Sequence, residues 1–380
     1  MTTRRSFLAT SALAAAAPAI NLGRFRLFAD TPTEYSARAI AIMQRSIVID
    51  MLSPLNINFS ITEKWLTDPK AFTAKEFEEF RASGITALHV AVGTGGADVY
   101  HSSYRYLSMH NSFVTMHDQW FGRITTAADF ERLKASGRVG ILLGLQNSEH
   151  FRTLNDVDEF FKLGQRVSQL TYNSRNMIGN GSTERRDEGL SDYGVAVVER
   201  MNKVGMAVDV SHCGDRTSLD AFEVSKQPVL ITHSNARALA SGHPRTKPDE
   251  VFQAAGKSGG VVGITGVRMF VKGSEPTTIE DLLNHFDHVG KLIGPEHLGV
   301  GSDIDLHGYD ALPPEQIKQL QASYKASYGF RAKTDIEGVD HPKRMFDLTE
   351  GLIRRKYTDA QIEGILGGNF KRVLAQIWGG

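Results

Sequence analysis

The chain has 380 residues, with 43 Lys+Arg against 43 Asp+Glu, 41% hydrophobic residues and 23% charged ones. Balanced charge without a long basic run excludes the electrostatic footprint of a nucleic-acid binder, and the hydrophobic fraction excludes a disordered chain. The single cysteine, Cys213, rules out an intramolecular disulfide, so the fold rests on its core or on a bound metal.

The amino terminus reads MTTRRSFLATSALAAAAPAI. Arg4 and Arg5 stand just before Phe7 and Leu8, and a short Ala/Leu-rich stretch ends in the small-x-small pattern Ala17-Pro18-Ala19. This reads as a twin-arginine export signal, with residues 1–29 as signal and short linker and the periplasm as destination. The apolar stretch is too short to cross a bilayer comfortably, so no stable membrane span is expected.

Residues 30–380 are expected to form one domain. After a helix at 34–44, eight short β-branched apolar runs follow, at 46–52, 84–92, 138–145, 166–172, 205–211, 227–233, 259–265 and 297–303. Amphipathic stretches alternate with them at 73–82, 103–120, 127–135, 156–163, 192–203, 215–225, 248–257 and 278–292, and further helices are expected at 313–323, 341–356 and 358–378. Near-continuous apolar strands, each followed by a helix, predict an α/β fold, a (β/α)8 TIM barrel with extra C-terminal helices. A doubly wound open sheet is the alternative, but no Gly-x-Gly-x-x-Gly turn follows the first strand.

In such a barrel the active site lies at the carboxyl ends of the strands, which sorts the thirteen histidines. His212 ends strand five, His233 ends strand six and Asp303 ends strand eight, so three metal-competent side chains are expected on one rim. Neutral imidazoles with oxygen donors suit zinc or a similar divalent ion, and a carboxylate beside the metal can take a proton from its bound water. Arg245, in GHPRTKPDE, either holds a substrate carboxylate by a bidentate pair or is an ordinary helix-entry arginine. His89 inside strand two, Glu149 and His150 after strand three, and His307 after strand eight are reserve candidates for the mouth. His110 with His117, and His285 with His288, share helix faces and read as packing or surface pairs. Cys213 reads as a small buried residue.

The stretches MNKVGMAVDVSHCGDRT, PVLITHSNARAL, HPRTKPDE, GGVVGIT, HLGVGSDID and GGNFKRV together resemble the membrane dipeptidase (renal dipeptidase) family, peptidase family M19, most strongly between Gly189 and Asp305. The resemblance implies a (β/α)8 barrel of the amidohydrolase superfamily that hydrolyses dipeptides with two zinc ions. Position by position, it makes His212 and His233 metal ligands, Arg245 the arginine that holds the substrate carboxylate, and Asp303 the metal neighbour and proton carrier.

Other family positions are altered. The His-x-Asp pair at the end of strand one is met by Leu52 and Pro54, neither of which can bind a metal. The bridging glutamate is met by Gln146, a neutral and weaker donor, and the carbonyl-polarising histidine by Tyr172, whose hydroxyl can still donate to a developing oxyanion. The expectation is therefore a metal-dependent hydrolase of a dipeptide or similar small amide, using one zinc ion rather than two. In it His212, His233 and Gln146 are metal ligands, Asp303 and Tyr172 are catalytic and Arg245 binds substrate. Asp50, Glu149, His150 and His89 are the residues available to replace lost ligands. Two alternatives stand beside this one: an exported barrel that binds a small ligand without cleaving it, and a lyase or isomerase acting on a polar metabolite. The expected partner is a small molecule, and a homodimer is compatible with the sequence.

Overall fold

Every residue of the run Val139–Leu145 is buried, the pattern of a parallel strand covered on both faces. The same logic places seven further strands around it in a computed structural model that describes residues 23–27, 33–240 and 242–379. The Arg4-Arg5 export signal lies outside the described residues. Among the described residues, no helix is long and apolar enough to cross a membrane.

The barrel strands are β1 (Ile49–Asp50), β2 (Ala87–Val92), β3 (Val139–Leu145), β4 (Gln165–Gln169), β5 (Ala207–Asp209), β6 (Ile231–Ser234), β7 (Val262–Ile264) and β8 (Leu298–Val300). Strands β1 to β5 pair in order, all parallel, and β6 to β8 do the same. Two seams join these arcs. Leu230 N donates to Val208 O at 2.8 Å and Val210 N to Leu230 O at 3.0 Å, while Met51 N donates to Val300 O at 2.8 Å. The eight strands thus close on themselves, at the places where the apolar runs of the sequence predict them.

The amino-terminal end of the barrel is plugged. Helix Asn369–Trp378 packs Phe370, Val373, Leu374 and Ile377 against Ile49, Ala87, Leu142, Ala207 and Leu230. Burying each large apolar side chain contributes about 2 kcal/mol, so this end is firmly shut and the carboxyl end is left for chemistry. The helix expected at 358–378 is interrupted by a π turn at Gly364–Gly368. A Cβ on Gly367 would collide with the backbone of Ile47 and Ile49, so only glycine lets this segment lie against β1.

Other departures from the predicted elements are local. Residues Glu34–Ser36 form a short strand paired antiparallel with Arg24–Arg26, and the helix starts after them, at Ala37, capped by the Ser36 hydroxyl. The expected boundary at residue 29/30 lies outside the described residues. The helix predicted over 103–120 runs Val99–Met116 instead, because the chain must straighten for Phe121–Arg123, which pairs in parallel with the start of β3. Helix Phe59–Thr67, with Trp65 as its one buried residue, carries too weak an apolar stripe to be read from sequence.

Candidate active site at the carboxyl ends of the strands

Two buried carboxylates tie the strand ends together. Asp209, at the end of β5, accepts from Ser211 N (3.0 Å), Ser211 Oγ (2.6 Å), Thr232 N (3.0 Å) and Thr232 Oγ1 (2.7 Å), and so fixes the end of β5 against β6. Asp50, at the end of β1, accepts from Ser302 N (2.8 Å), Ser302 Oγ (2.6 Å) and the Arg344 guanidinium (2.9 Å), and does the same between β1 and β8. His212, His233 and Asp303 stand just beyond these knots.

His212 and His233 are 2% and 0% exposed, and their Nε2 atoms face each other at 3.0 Å. Their outer nitrogens are held separately. His212 Nδ1 lies 2.7 Å from Asn173 Oδ1, an atom that can only accept, so Nδ1 carries the proton. Thr232 gives its hydroxyl proton to Asp209 and accepts from His233 Nδ1 at 2.8 Å. Both Nε2 atoms are therefore bare lone pairs pointed at one another. Burial first, and then the charge of Arg245, pushes both imidazoles well below the usual histidine range and keeps them neutral.

Tyr172 stacks on the His212 ring at 4.3 Å and 21°. Its hydroxyl meets that of Tyr324 at 2.7 Å, and burial with the neighbouring tyrosines raises it well above 10, so it stays protonated. Asp303 has φ +62° and Asn173 φ +58°, left-handed backbone that only Asn and Asp among residues with a Cβ tolerate readily. Asp303 is anchored through its N–H to Leu52 O at 2.8 Å. Burial and the proximity of Asp50 outweigh Arg245 and lift its carboxyl to about 7, where it can both accept and release a proton near neutral pH.

Arg245 is fully buried. Its terminal nitrogens donate to Ser211 O and, at 2.9 Å, to His233 O, clamping the turns that carry both histidines, while Nε has no partner among the described residues. Gln146 donates its amide nitrogen to Ala91 O at 3.2 Å, leaving its amide oxygen as the accepting end.

A cavity of about 750 Å³ opens at this rim. Leu52, Pro54, Gln146, Tyr172, Asn173 and Asp303 all lie on its wall. His212 sits beneath the Tyr172 ring rather than on the surface of the cavity. The sequence-predicted residues are thus gathered at one mouth, in two tiers: Asp303, Tyr172 and Gln146 on the wall, His212, His233 and Arg245 below it.

The reserve candidates are placed elsewhere or already engaged. Asp50 is spent on Ser302 and Arg344. His150 is buried with Nδ1 on Asn147 O and Nε2 on Gln165 Oε1, and Glu149 accepts from the Asn147 amide at 3.3 Å. His307 pairs with Glu79 at the surface. His89 is buried with Nδ1 on Met51 O at 2.6 Å and an Nε2 that has no partner among the described residues. Among the described residues, no group of three or more His, Cys, Asp or Glu side chains gathers in a metal-binding arrangement. His285, expected at a surface, is fully buried and bridges Ala236 N and Val271 O.

Sequence reasoning missed the residues that orient the histidines. Asn173, Thr232 and Asp209 are polar residues at strand ends, and their partners come from neighbouring strands rather than from neighbours in sequence. It also missed Tyr309, Tyr324 and Tyr328, which wall the cavity from beyond β8.

Comparisons with known proteins identify the family and the fold. The family model described as membrane dipeptidase (peptidase family M19) matches residues 36–322. An uncharacterized dipeptidase of Schizosaccharomyces pombe is 32% identical over 63% of this chain and 53% of its own length. The match spans between about half and two-thirds of the curated relatives. A solved amidohydrolase structure from Pseudomonas aeruginosa is 28% identical, covering 90% of this chain and 99% of that one with a TM-score of 0.77. The probable dipeptidase PvdM of the same organism shares the fold, at 18% identity and a TM-score of 0.75, over 90% of this chain and 98% of that one. A barrel with paired histidines at the ends of its fifth and sixth strands, matched by the family model over most of its length, belongs to the membrane dipeptidase family, peptidase family M19.

Proposed function

We propose that the chain is a metal-dependent hydrolase of small amides, of dipeptidase type, that works with one divalent ion. The observation that carries this reading is the pair of bare Nε2 lone pairs at 3.0 Å. Two lone pairs repel unless a cation shares them, and the spacing is close to the roughly 3.3 Å between two nitrogens bound to one tetrahedral zinc at about 2.0–2.1 Å. Fixing the outer nitrogens by hydrogen bonds is also how ligand histidines are oriented.

Zinc, the ion the family implies, would be held by His212 and His233 with the Gln146 amide oxygen as a further donor, and when bound it supplies Lewis acidity and an acidified water. Leu52 and Pro54 offer no ligand for a second ion, which supports a count of one. Asp303 carries the proton from nucleophile to leaving nitrogen. Tyr172 donates a hydrogen bond to the oxyanion that forms on the scissile carbonyl. Arg245 lies close enough to act on Asp303 and keeps one free donor, Nε–H; its charge draws the anionic end of the substrate to the cavity floor. Export through the Arg4-Arg5 signal and a single domain over 30–380 complete the reading.

Metal analysis after gentle purification tests it, together with hydrolysis of a dipeptide panel. We expect about one ion per chain, and loss of both ion and activity in His212→Ala and His233→Ala. A stoichiometry near two, or activity surviving the double substitution, overturns it.

A further inference from the structure

The wall of the cavity on the β1 and β2 side is hydrocarbon. Leu52, Pro54, Ile57, Ala91 and Val92 form it, and Phe59, 62% exposed, stands at its lip. Among the described residues, only two charged ones line the cavity. Asp303 is on the wall, and Lys325 stands 3.4 Å from Glu184. Beneath the floor lies a third charge, Arg245.

A dipeptide with a free amino terminus carries its ammonium one carbon from the scissile carbonyl. In this cavity that ammonium has a single carboxylate within the lining, Asp303, which proton transfer already requires. Turned the other way it meets Leu52 and Pro54, and a charge set against hydrocarbon without a counter-ion is strongly disfavoured. The opposite end of a substrate meets better provision, since Lys325 and Arg245 both favour an anion.

From this distribution we propose that the natural substrate is an N-acylated amino acid, an amide whose acyl part is apolar and uncharged and whose other end is a carboxylate, rather than a dipeptide with a free ammonium. The acyl chain lies along Leu52, Pro54 and Ile57 toward Phe59. Hydrolysis then adds water across the amide, giving a fatty or branched carboxylic acid and a free amino acid, with the proton going to the leaving nitrogen. The proposal rests on the amide-hydrolase reading above and narrows it.

A matched pair of compounds tests it. Isocaproyl-glycine and leucyl-glycine differ only in that the first has hydrogen where the second has ammonium. Binding is measured calorimetrically on the full chain freed of metal, and hydrolysis on the zinc-loaded protein, so that recognition and cleavage are read separately. We expect isocaproyl-glycine to bind at least tenfold more tightly. Phe59→Ala, at an exposed position that does not threaten the fold, should weaken octanoyl-glycine several-fold while leaving acetyl-glycine unchanged. Leu52→Asp should shift the preference toward leucyl-glycine. Equal or tighter binding of leucyl-glycine, no binding of either compound, or indifference of octanoyl-glycine to Phe59→Ala overturns the inference. Binding in the expected order without cleavage upholds the ligand class and instead refutes the hydrolase reading.

Discussion

Replacing Arg344 by Met should loosen the barrel at the seam that carries Asp303. The Arg344 and Asp50 side chains are 1% and 0% exposed, and they meet at 2.9 Å. Arg344 also donates to Asp305 O at 2.6 Å and Ser53 Oγ at 3.3 Å, so one side chain holds both strand ends. Removing it strands the Asp50 carboxylate in the interior with only Ser302 and the Leu52 N–H as donors. Breaking a buried pair in this way costs about 3–5 kcal/mol. At roughly 2.1 cal/mol/K per residue of unfolding entropy, that is a fall in Tm of about 5 °C. Asp50→Asn added to Arg344→Met removes the stranded charge and should recover part of the loss, so the two substitutions are strongly non-additive. Urea and thermal unfolding of the four proteins measure this. A loss below about 1 kcal/mol in Arg344→Met, or simple additivity in the double variant, refutes the argument that this pair closes the seam.

Asn173→Ala and Thr232→Val free the outer nitrogens of the two histidines and should each weaken metal binding about ten- to a hundred-fold in a chelator competition; unchanged affinity would deny them the orienting role. Tyr172→Phe should lower kcat about a hundred-fold with little change in KM, because the hydroxyl is asked to act only on the oxyanion, and an effect confined to KM would contradict that. Asp335, 2% exposed, has its carboxyl pushed up to about 6 by burial, with Asp310 and Asp340 adding to the effect. Because the folded state holds the proton more tightly than the unfolded one, its contribution to stability is full below the unfolded pKa near 4 and is lost as pH rises to about 6. Asp335→Asn should remove that pH dependence and raise stability at neutral pH by up to about 3 kcal/mol, as read from urea midpoints between pH 4 and 8; an unchanged pH profile counts against it.

Much of the fold was legible because parallel strands buried on both faces leave continuous apolar runs. Six of the eight barrel strands fall within the predicted runs, as Val139–Leu145 does within 138–145, and Gln165–Gln169 and Ile231–Ser234 overrun theirs by one residue. The less legible elements are those whose conformation is set from outside. Glu34–Ser36 becomes a strand through pairing with Arg24–Arg26, and the π turn at Gly364–Gly368 follows from the approach of Gly367 to β1. His285 was read as a surface residue because its partners, Ala236 and Val271, lie on other segments of the chain.

The sequence by itself determined the barrel, the family and the identity of the rim residues, since apolar periodicity and side-chain type are properties of the chain alone. The loss of ligands at Leu52 and Pro54 is equally a fact of sequence. Only the tertiary structure decided how those residues stand to one another. It sets the His212 and His233 lone pairs face to face, with their protons held away by Asn173 and Thr232. It also buries Arg245 against two carbonyls and sets Leu52 and Pro54 in the apolar part of a cavity that four tyrosines also line. Each of these depends on contacts between strand ends far apart in the chain, where packing and hydrogen bonding between elements override local preference.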